Sequence, residues 1–526
     1  MPDKREHWGS KLGVILAVAG SAVGLGNFLR FPAKAVLNGG GAFMIPYFVA
    51  FLLLGIPLMW VEWTLGRMGG QLGHGTAPGI FDKLDGTGRW AKYLGIIGIL
   101  GPFVILIYYM YIESWTLAYA WYSFTGHLPF GSGQEEMKAF LSGYQGLVHN
   151  NYFSGLGPAL LFFGLTFLIN FFFIYKGLQG GIEKLSKYGM PVLLVLGVIL
   201  AIRVLSLGTP DASLPELSVK NALGFVWNPD FSQLTSAKVW IEAAGQIFFT
   251  LSVGIGVILT YASYLRKNDD VALSGLTASA TNEFCEVILG GSIVIPAAFI
   301  FLGGSAGALS AAQSGTFNLG FVTMPMIFGK IPMGTLFSGL WFLLLFIAGI
   351  TSSVSLIQPA VSFLEDELGW NRRKSVLALG AVSLLACLPA IFFLAHGFVD
   401  ELDFWGGTLF LVVFAAIEII LFAWVFGMDK GWREMHQGAR MKIPAIYQPI
   451  IKYVTPAYLL ILLGVWSYQQ FWPFIALKGI AAADRPYMWG ARILILLLGA
   501  ALAAMVARAW GKRKNGSSGE GEKIRG

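Results

Sequence analysis

The chain has 526 residues, of which 56% are hydrophobic and only 12% are charged. Because a soluble globular domain is typically about 25% charged, this composition excludes an ordinary soluble protein and indicates an integral membrane protein. The formal net charge of +7 does not indicate a nucleic-acid partner, since most of the lysine and arginine residues lie in or beside the polar stretches between apolar segments.

Twelve apolar segments follow one another along the chain, and each is long enough for a helix to cross the roughly 30 Å of hydrocarbon in a bilayer. The predicted fold class is therefore an all-α integral membrane protein with twelve transmembrane helices. In chain order the segments are 11–37, 42–70, 90–124, 156–175, 182–205, 238–266, 271–302, 334–367, 373–395, 399–426, 447–475 and 487–511.

Basic residues are concentrated in alternate connections between these segments. Lys4, Arg5 and Lys11 precede the first segment, whereas the long connection 303–333 contains only Lys330. Because loops rich in lysine and arginine stay in the cytoplasm, this pattern predicts that both termini are cytoplasmic. The expected location is the cell inner (plasma) membrane, which the chain crosses many times.

Two segments contain a matching Gly-x-Gly motif. Gly24-Leu25-Gly26 lies in the first segment and Gly254-Ile255-Gly256 in the sixth. A lone motif of this kind is typical of helix packing, but paired glycine-interrupted segments in two halves are typical of a transporter's central site. We therefore predict a single transporter domain, 1–526, built as a 5+5 inverted repeat with broken helices 1 and 6. Its parts are a first repeat at 1–205, an inverted second repeat at 238–426, two C-terminal helices at 447–511 and a disordered cytoplasmic tail at 512–526.

A broken helix can bind a cation and an anion side by side. Unwinding frees carbonyl oxygens that suit Na⁺, and it creates a new helix N-terminus whose N–H groups suit a carboxylate. Asn27 and Arg30 follow the first break. Arginine inside a membrane helix is rare and costly, which favours a gating or pairing role for Arg30.

Polar side chains in the seventh and eighth segments are spaced so that they share helix faces. Asn282 and Glu286 stand at positions i and i+4, and one face of the eighth segment carries Ala348, Thr351 and Ser352. The alternative is that these hydroxyl groups donate to the carbonyl oxygen four residues earlier in their own helix. Because two broken helices accompany them, we interpret these residues as ligands.

Long strings of the sequence carry a resemblance to a known family. They include REHWGSKLGVILAVAGSAVGLGNFLRFP, GQIFFTLSVGIGVILTYASY, LSGLTASATNEFCEVILGGSIVIPAA, AGITSSVSLIQPAVSFLEDEL and DFWGGT. Along nearly its whole length the sequence resembles the neurotransmitter:sodium symporter family, and most closely the bacterial leucine-transporter branch. The resemblance implies a Na⁺-coupled symporter that works by alternating access.

The resemblance implies two sodium sites as the cofactor sites. The first would be completed by the carboxylate of the substrate and would use Ala22, Asn27, Thr250 and Asn282. The second would use Gly20, Val23, Ala348, Thr351 and Ser352.

The resemblance also implies a substrate site in the same region. Backbone N–H groups and one hydroxyl group would bind the α-carboxylate, from Leu25, Gly26 and Tyr108. Oxygen atoms would bind the amine, from Ser21, Phe249, Thr250 and Ser252. The full substrate-contacting set that the resemblance implies is Ser21, Ala22, Leu25, Gly26, Val104, Tyr108, Phe249, Thr250, Ser252, Ile255, Ser352 and Leu356.

Two gates are implied in the same way. An outer gate would pair Arg30 with Asp403, under a lid formed by Tyr108 and Phe249. An inner gate would pair Arg5 with Asp366 and would also use Trp8, Ser263 and Tyr264.

The sequence departs from the bacterial leucine type within the pocket. That type has asparagine where Ser21 stands, phenylalanine where Ile255 stands and isoleucine where Leu356 stands. These changes reshape the pocket, put leucine itself in doubt and point to larger apolar or aromatic amino acids. Gly24 occupies the position where monoamine carriers of the family have an acid, which favours zwitterionic amino acids over monoamines.

Glu286 is expected to replace chloride as the charge-compensating group. Chloride-dependent members of the family have a neutral hydroxyl group at the matching position, whereas this chain has a carboxylate. Transport should therefore be independent of chloride. Burial favours the protonated form of a carboxylate once compensating cations leave, so possible proton antiport is a further expectation.

The function that the sequence favours is sodium-coupled symport of neutral, hydrophobic or aromatic amino acids. The partners are the amino-acid substrate, sodium ions and the lipid bilayer. An enzyme is disfavoured because the chain has no phosphate-binding loop, nucleophile–His–acid set or metal-ligand cluster. The alternative is a sodium-dependent amino-acid-binding membrane receptor of the same fold without transport. An ion channel is disfavoured by the lack of a charged ring and by the two gates.

Overall fold

The computed structural model describes residues 6–86, 90–131 and 133–521, except for the side chains of 469–470 and 512–521. Within these residues the protein is entirely helical and contains no β-strand. The main helices are α1a Lys11–Ala22, α1b Gly26–Leu37, α2 Gly41–Gln71, α3 Ala91–Phe124, α4 Gly157–Tyr175, α5 Leu178–Leu205, α6a Ala237–Leu251, α6b Val257–Ala262, α7 Val271–Leu302, α8 Gly334–Asp366, α9 Arg372–Phe392, α10 Phe398–His436, α11 Tyr447–Trp466 and α12 Arg485–Gly511.

Shorter helices occupy the connections between these elements. They are Ala77–Asp85, Gln134–Tyr144, Val219–Trp227, Gly304–Gln313 and Thr316–Phe328. At the C-terminus, the segment 512–526, which the sequence predicts to be a disordered tail, is described only as far as Gly521, where the backbone continues α12. Residues 522–526 lie outside the described residues.

Length and composition of the helices do not confirm the predicted count of twelve membrane spans. In the described residues, 10 helices are long and apolar enough to cross a bilayer, and α1a with α1b, which are bent by 47°, make an eleventh span. The sixth predicted segment does not pass the same test. Its halves have only 15 and 6 residues, and the break between them is longer than that in α1.

The helices form two packed groups. In one group α3, α4, α8 and α9 contact one another, and the contact between α3 and α8 is the most extensive in the molecule. In the other group α6a and α6b pack against α2, and α1a packs against α7. Small residues permit this closeness, since a methyl group at Gly66 or Gly70 of α2 would overlap carbonyl oxygens of the α6b segment. Such small-residue contacts are typical of helix packing in membranes.

Both helices with a Gly-x-Gly motif are broken, as the sequence predicts. The first helix ends because Val23 leaves the helical conformation, with ψ at 93°. The sixth ends at Ser252, which has a φ of 53°, and both Gly254 and Gly256 also have positive φ values, 75° and 76°. Because residues other than glycine rarely adopt such values, the two glycines make this break possible.

Candidate functional site

The two breaks lie against each other inside the bundle. The Ser252 hydroxyl group donates to the Ser21 carbonyl oxygen in the last turn of α1a, at 3.0 Å. Glu62 of α2 contacts the α6 break, because its Oε1 accepts the Gly254 N–H at 2.5 Å. An acid from a third helix thus supplies the acceptor that the unwound backbone lacks.

The residues predicted for the first sodium site converge beside these breaks. Asn27 Nδ2 lies 3.1 Å from Thr250 Oγ1 and 2.8 Å from Asn282 Oδ1. One terminal atom of the Asn282 amide lies 3.2 Å from both the Ala22 and the Thr250 carbonyl oxygens. With the amide nitrogen there, it donates to both carbonyls. If the amide oxygen occupies that position, it faces the carbonyl oxygens of Ala22 and Thr250. A cation between these three oxygen atoms would stabilise this arrangement.

The residues predicted for the second sodium site also meet. Ser352 Oγ lies 3.3 Å from the Gly20 carbonyl oxygen and 3.1 Å from that of Ala348. Thr351 Oγ1 lies 3.2 Å from the Ala348 carbonyl oxygen, and it also donates to the carbonyl four residues earlier at 2.9 Å. Val23 stands at the end of α1a, in extended conformation. These groups supply neutral oxygen ligands of the kind that alkali cations bind.

A cavity of about 50 Å³ lies between the breaks and the helices α3, α8 and α10. Most of the predicted substrate residues line it, namely Ser21, Ala22, Leu25, Gly26, Phe249, Thr250, Ser252, Ile255, Ser352 and Leu356. Gly24, Asn27, Ile105, Tyr109 and Leu411 complete the wall.

The polar groups around this cavity suit a zwitterion. At one end the Tyr109 hydroxyl group lies 3.3 Å from the Leu25 nitrogen, at the start of α1b, where a helix N-terminus favours an anion. At the other end the Ser252 and Ser352 hydroxyl groups donate to the Ser21 carbonyl oxygen, at 3.0 and 3.1 Å, and this acceptor suits an ammonium group. Among the described residues no aspartate or glutamate lines the cavity.

The residues of α3 that line the cavity stand one position after the two that the sequence predicts. Ile105 and Tyr109 line the cavity, whereas Val104 and Tyr108 do not. Because successive helical residues point about 100° apart, a shift of one position turns a side chain away from the site. The Tyr108 hydroxyl group instead donates to Asp403 Oδ1 at 2.5 Å, so it belongs with the outer gate residues.

Leu411 of α10 lines the cavity but is absent from the sequence prediction. It is buried, and α10 approaches the α6 break closely there, because a methyl group at Gly254 would lie 2.5 Å from the Leu411 carbonyl oxygen. Leu411 lies inside a long apolar run without a polar or glycine residue next to it. The sequence therefore contains no signal that distinguishes this leucine from its neighbours.

The predicted outer gate residues flank a second cavity. Arg30 and Asp403 both line this space of about 300 Å³, and the side chains form no ion pair within 4.0 Å, although both belong to the described residues. The Arg30 guanidinium group lies over the Phe249 ring, 4.2 Å from its centroid. Phe249 lines both cavities, as do Leu25, Gly26 and Tyr109, so these residues stand between the outer space and the inner one.

The predicted inner gate residues lie at the opposite end. The Trp8 indole is buried, and its N–H donates to a carbonyl oxygen of α6b at 2.8 Å. The Ser263 hydroxyl group donates to the carbonyl three residues earlier at 2.6 Å, and the Tyr264 hydroxyl group accepts from an amide of α8 at 2.9 Å. Asp366 accepts from a hydroxyl group one turn earlier at 3.0 Å. Its predicted partner Arg5 lies outside the described residues.

Glu286 is fully buried and contacts the first sodium-site cluster directly. Its Oε2 accepts from Asn27 Nδ2 at 3.1 Å, and its Oε1 accepts from Gln246 Nε2 at 2.8 Å. A buried carboxyl group thereby contacts a residue expected to hold a cation.

The structure has two broken helices in contact, clusters of neutral oxygen atoms at their breaks and a small cavity beside the breaks. These features together define a multi-pass membrane transporter that binds a solute together with cations. The sequence matches the profile of the Sodium:neurotransmitter symporter family over residues 5–140 and 148–507. The chain belongs to this family. It is therefore a sodium-dependent secondary transporter and not an enzyme.

Individual relatives support this assignment. The chain is 32% identical over 472 residues to an uncharacterized sodium-dependent transporter of Methanocaldococcus jannaschii, and the match covers 86% of this chain and 88% of that protein. It is 29% identical to an uncharacterized sodium-dependent transporter of Haemophilus influenzae, with 87% and 97% covered. The fold is similar to the crystal structure of MhsT in complex with L-phenylalanine, with a TM-score of 0.74 at 30% identity, covering 87% of this chain and 99% of MhsT.

Proposed function

We propose that the protein carries large apolar or aromatic amino acids into the cell together with two Na⁺ ions, by alternating access. The observation that carries this proposal is the cavity between the breaks. It offers N–H and hydroxyl donors at one end and a carbonyl acceptor at the other, and no acid side chain among the described residues lines it. The structure of MhsT with L-phenylalanine supports an aromatic substrate, since that protein has a similar fold.

The side-chain end of the cavity is apolar. Ile105, Ile255, Leu356 and Leu411 form this end from four different helices. Aliphatic walls without a polar group favour a hydrocarbon or aromatic side chain, because a charged or hydroxylated one would be left without a partner. This favours substrates such as phenylalanine, tryptophan and methionine over polar amino acids.

The coupling between substrate and sodium rests on a shared carboxylate. Leu25, which we place at the substrate carboxylate, and Asn27 of the first sodium cluster are two residues apart and line the same cavity. A substrate carboxylate at the start of α1b can therefore contact the cation. L-Phenylalaninamide should lose both affinity and sodium dependence in competition binding. Equal binding of the amide and the acid at the same sodium concentration would contradict the shared ligand.

Glu286 supplies the basis for chloride-independent transport. The carboxylate accepts from Asn27 and Gln246, so a Glu286→Ser variant would leave two amide donors that can bind an anion. Uptake by the wild type should be equal in gluconate and chloride buffers, and Glu286→Ser should require chloride. Glu286→Gln is the matched control, because it fills the same space without charge and should gain no chloride dependence. Chloride dependence of the wild type would refute this assignment.

The same carboxylate can return a proton when the carrier is empty. Without cations nearby, a buried carboxylate is more stable in its protonated form. An acidic lumen should therefore accelerate uptake into proteoliposomes, and Glu286→Gln should abolish this acceleration. An identical acceleration in both proteins would show that the proton binds elsewhere.

The orientation that we propose places both termini in the cytoplasm of a cell inner membrane. The Trp8 end of the site would then face inward and the cavity beside Arg30 would face outward. Buried Trp8 and the cavity of about 300 Å³ next to Arg30 support a conformation that is closed inside and partly accessible outside.

The test of transport is uptake of labelled L-phenylalanine into proteoliposomes with and without an inward sodium gradient. Accumulation that requires the gradient is the expected result. Sodium-dependent binding without accumulation would instead indicate a membrane receptor of the same fold, and accumulation without sodium would refute the coupling.

A further inference from the structure

The first turn of α10, Phe398–Asp403, begins directly after Gly397 and ends four residues before Gly407. Gly397 before it has a φ of +73°, a conformation that glycine adopts readily. After it, Gly407 gives the gate carboxylate room, because a methyl group there would lie 2.6 Å from Asp403 Oδ1. Contacts with neighbouring elements help to fix the orientation of this turn at the start of the helix.

Arg492 of α12 makes one such contact, a buried ion pair. Its Nε donates to Glu401 Oε1 at 2.5 Å, and both side chains are buried, 6% and 0% exposed. Its two other nitrogens donate to the Ile475 and Phe474 carbonyl oxygens, at 2.8 and 3.0 Å, in the connection before α12. The same Glu401 oxygen accepts from Trp405 Nε1 at 2.8 Å. A single guanidinium group thus joins α12, the connection before it and the start of α10.

A second set of contacts attaches the same turn to α12. The His396 ring, just before the turn, lies 2.8 Å from Asp484 Oδ1 and stacks on Tyr487 with ring centroids 4.0 Å apart. Met488 packs beside Gly397, since a methyl group added at Gly397 would lie 2.7 Å from Cε of Met488. The beginning of α12 therefore holds the beginning of α10 on two sides.

We propose that Arg492 is a positioning residue of the outer gate, which holds the first turn of α10 through Glu401 so that Asp403 faces Arg30. This inference rests on the proposed function, because it takes Arg30 and Asp403 as the gate pair.

The chemistry of the contact explains why an ion pair stands there. Apolar residues of similar volume would stabilise the packing as well as a buried ion pair does, but they would permit the turn to slide. The N–H donors of a guanidinium group form a fork of rigid planar geometry, so they fit the Glu401 carboxylate and the two carbonyl acceptors in one arrangement. Asp403 lies two residues after Glu401, so a shift of Glu401 moves the gate carboxylate with it.

A cysteine reporter in the outer cavity can measure gate closure. Thr316 lines that cavity with Arg30 and Asp403, and the native cysteines, Cys285 and Cys387, are buried. Thr316→Cys in the full-length protein in proteoliposomes would be labelled with a membrane-impermeant thiol reagent. Sodium together with L-phenylalanine should slow the labelling, because closure of the gate covers the cavity.

The effect of Arg492→Met on this protection tests the proposal. We expect the protection by substrate to fall roughly tenfold, a typical size for coupling between two sites, while equilibrium binding of ²²Na⁺ without substrate stays unchanged. Arg492→Lys keeps the charge but not the fork and should lose part of the protection. Arg508→Met makes the same substitution at an exposed position near the other end of α12 and should lose none.

The outcomes separate the two assignments. Wild-type protection in Arg492→Met overturns the positioning role. If that variant no longer binds ²²Na⁺, the lysine variant decides, and full protection in Arg492→Lys overturns the role. Asp403→Asn tests the gate itself. If Asp403→Asn loses protection while the Arg492 variants keep full protection, only the positioning role of Arg492 is refuted. If Asp403→Asn keeps full protection, the gate assignment, on which the positioning role rests, is refuted.

Discussion

The length of the side-chain pocket should be set jointly by Ile255 and Leu411. Both line the cavity, with exposed fractions of 5% and 3%. Leu411→Ala removes three carbon atoms from the wall, and at about 0.8 kcal/mol for each buried carbon the vacated space is worth roughly 2.4 kcal/mol to a side chain that fills it. Because every 1.4 kcal/mol is about tenfold in affinity, tryptophan should gain roughly fiftyfold relative to leucine. Ile255→Phe adds carbon atoms to the same wall, and it should shift the ranking in the opposite direction.

Competition against labelled L-phenylalanine by leucine, methionine and tryptophan, at saturating sodium, measures these rankings. Leu421→Ala is the matched control, since Leu421 lies on the same helix, is 2% exposed and does not line the cavity. It should lower thermal stability without changing the ranking. An unchanged ranking in both Leu411→Ala and Ile255→Phe, with sodium binding intact, would refute the assignment of this wall as the side-chain pocket.

Three further predictions concern substrate binding, the ions and the gate. Gly24→Ala should weaken substrate binding in equilibrium assays, because the new methyl group would lie 2.9 Å from Tyr109 Oη and from a hydroxyl group of α8. Overpacking typically costs about 1–3 kcal/mol, which corresponds to a loss of roughly five- to a hundredfold. Glu286→Gln should lower sodium affinity about a hundredfold by ²²Na⁺ binding. For an assumed distance of roughly 6 Å between the carboxylate and the ion, a charge contributes about 3 kcal/mol at an effective dielectric near 20. Unchanged affinity would contradict the charge assignment. Asp403→Asn should slow uptake while sodium affinity stays the same, and a wild-type uptake rate would count against the gate.

The fold was predictable because its determinants are local in the sequence. Long windows without charge indicate the spans, and the Gly-x-Gly motifs indicate where two helices stop. Gly24 and Gly254 lie inside the observed breaks for that reason. The count of twelve spans could not be predicted in the same way. Whether the two halves of a broken helix act as one span depends on the length of the break. In α6 this length is set by packing of the break against α2 and α10.

The site was predictable where the residue type itself indicates a ligand. Asn27, Asn282 and Ser352 are polar in apolar surroundings, and the structure brings each of them to the breaks. On α3 two adjacent tyrosines have the same chemistry, and only the rotation of the helix selects Tyr109 over Tyr108. Rotation is a property of the packed helix. A sequence taken alone gives it only when polar and apolar faces differ, and α3 is buried on nearly all sides.

The buried carboxylate of Glu286 has a consequence for energy conversion at the membrane. It is part of α7 and stays in the protein, whereas a bound chloride ion would travel with the substrate. With two Na⁺ ions and a zwitterion, as proposed, each inward step would move two positive charges instead of one. The membrane potential contributes about 2.3 kcal/mol per charge for each 100 mV. A fixed anion would therefore raise the attainable concentration ratio of the amino acid by roughly fiftyfold at 100 mV, since 1.4 kcal/mol is about tenfold. If the empty carrier returned a proton to the outside, the net charge moved per cycle would fall from two to one, and this increase would be lost. The electrical current measured per transported amino acid therefore distinguishes a cycle with proton return from a cycle without it.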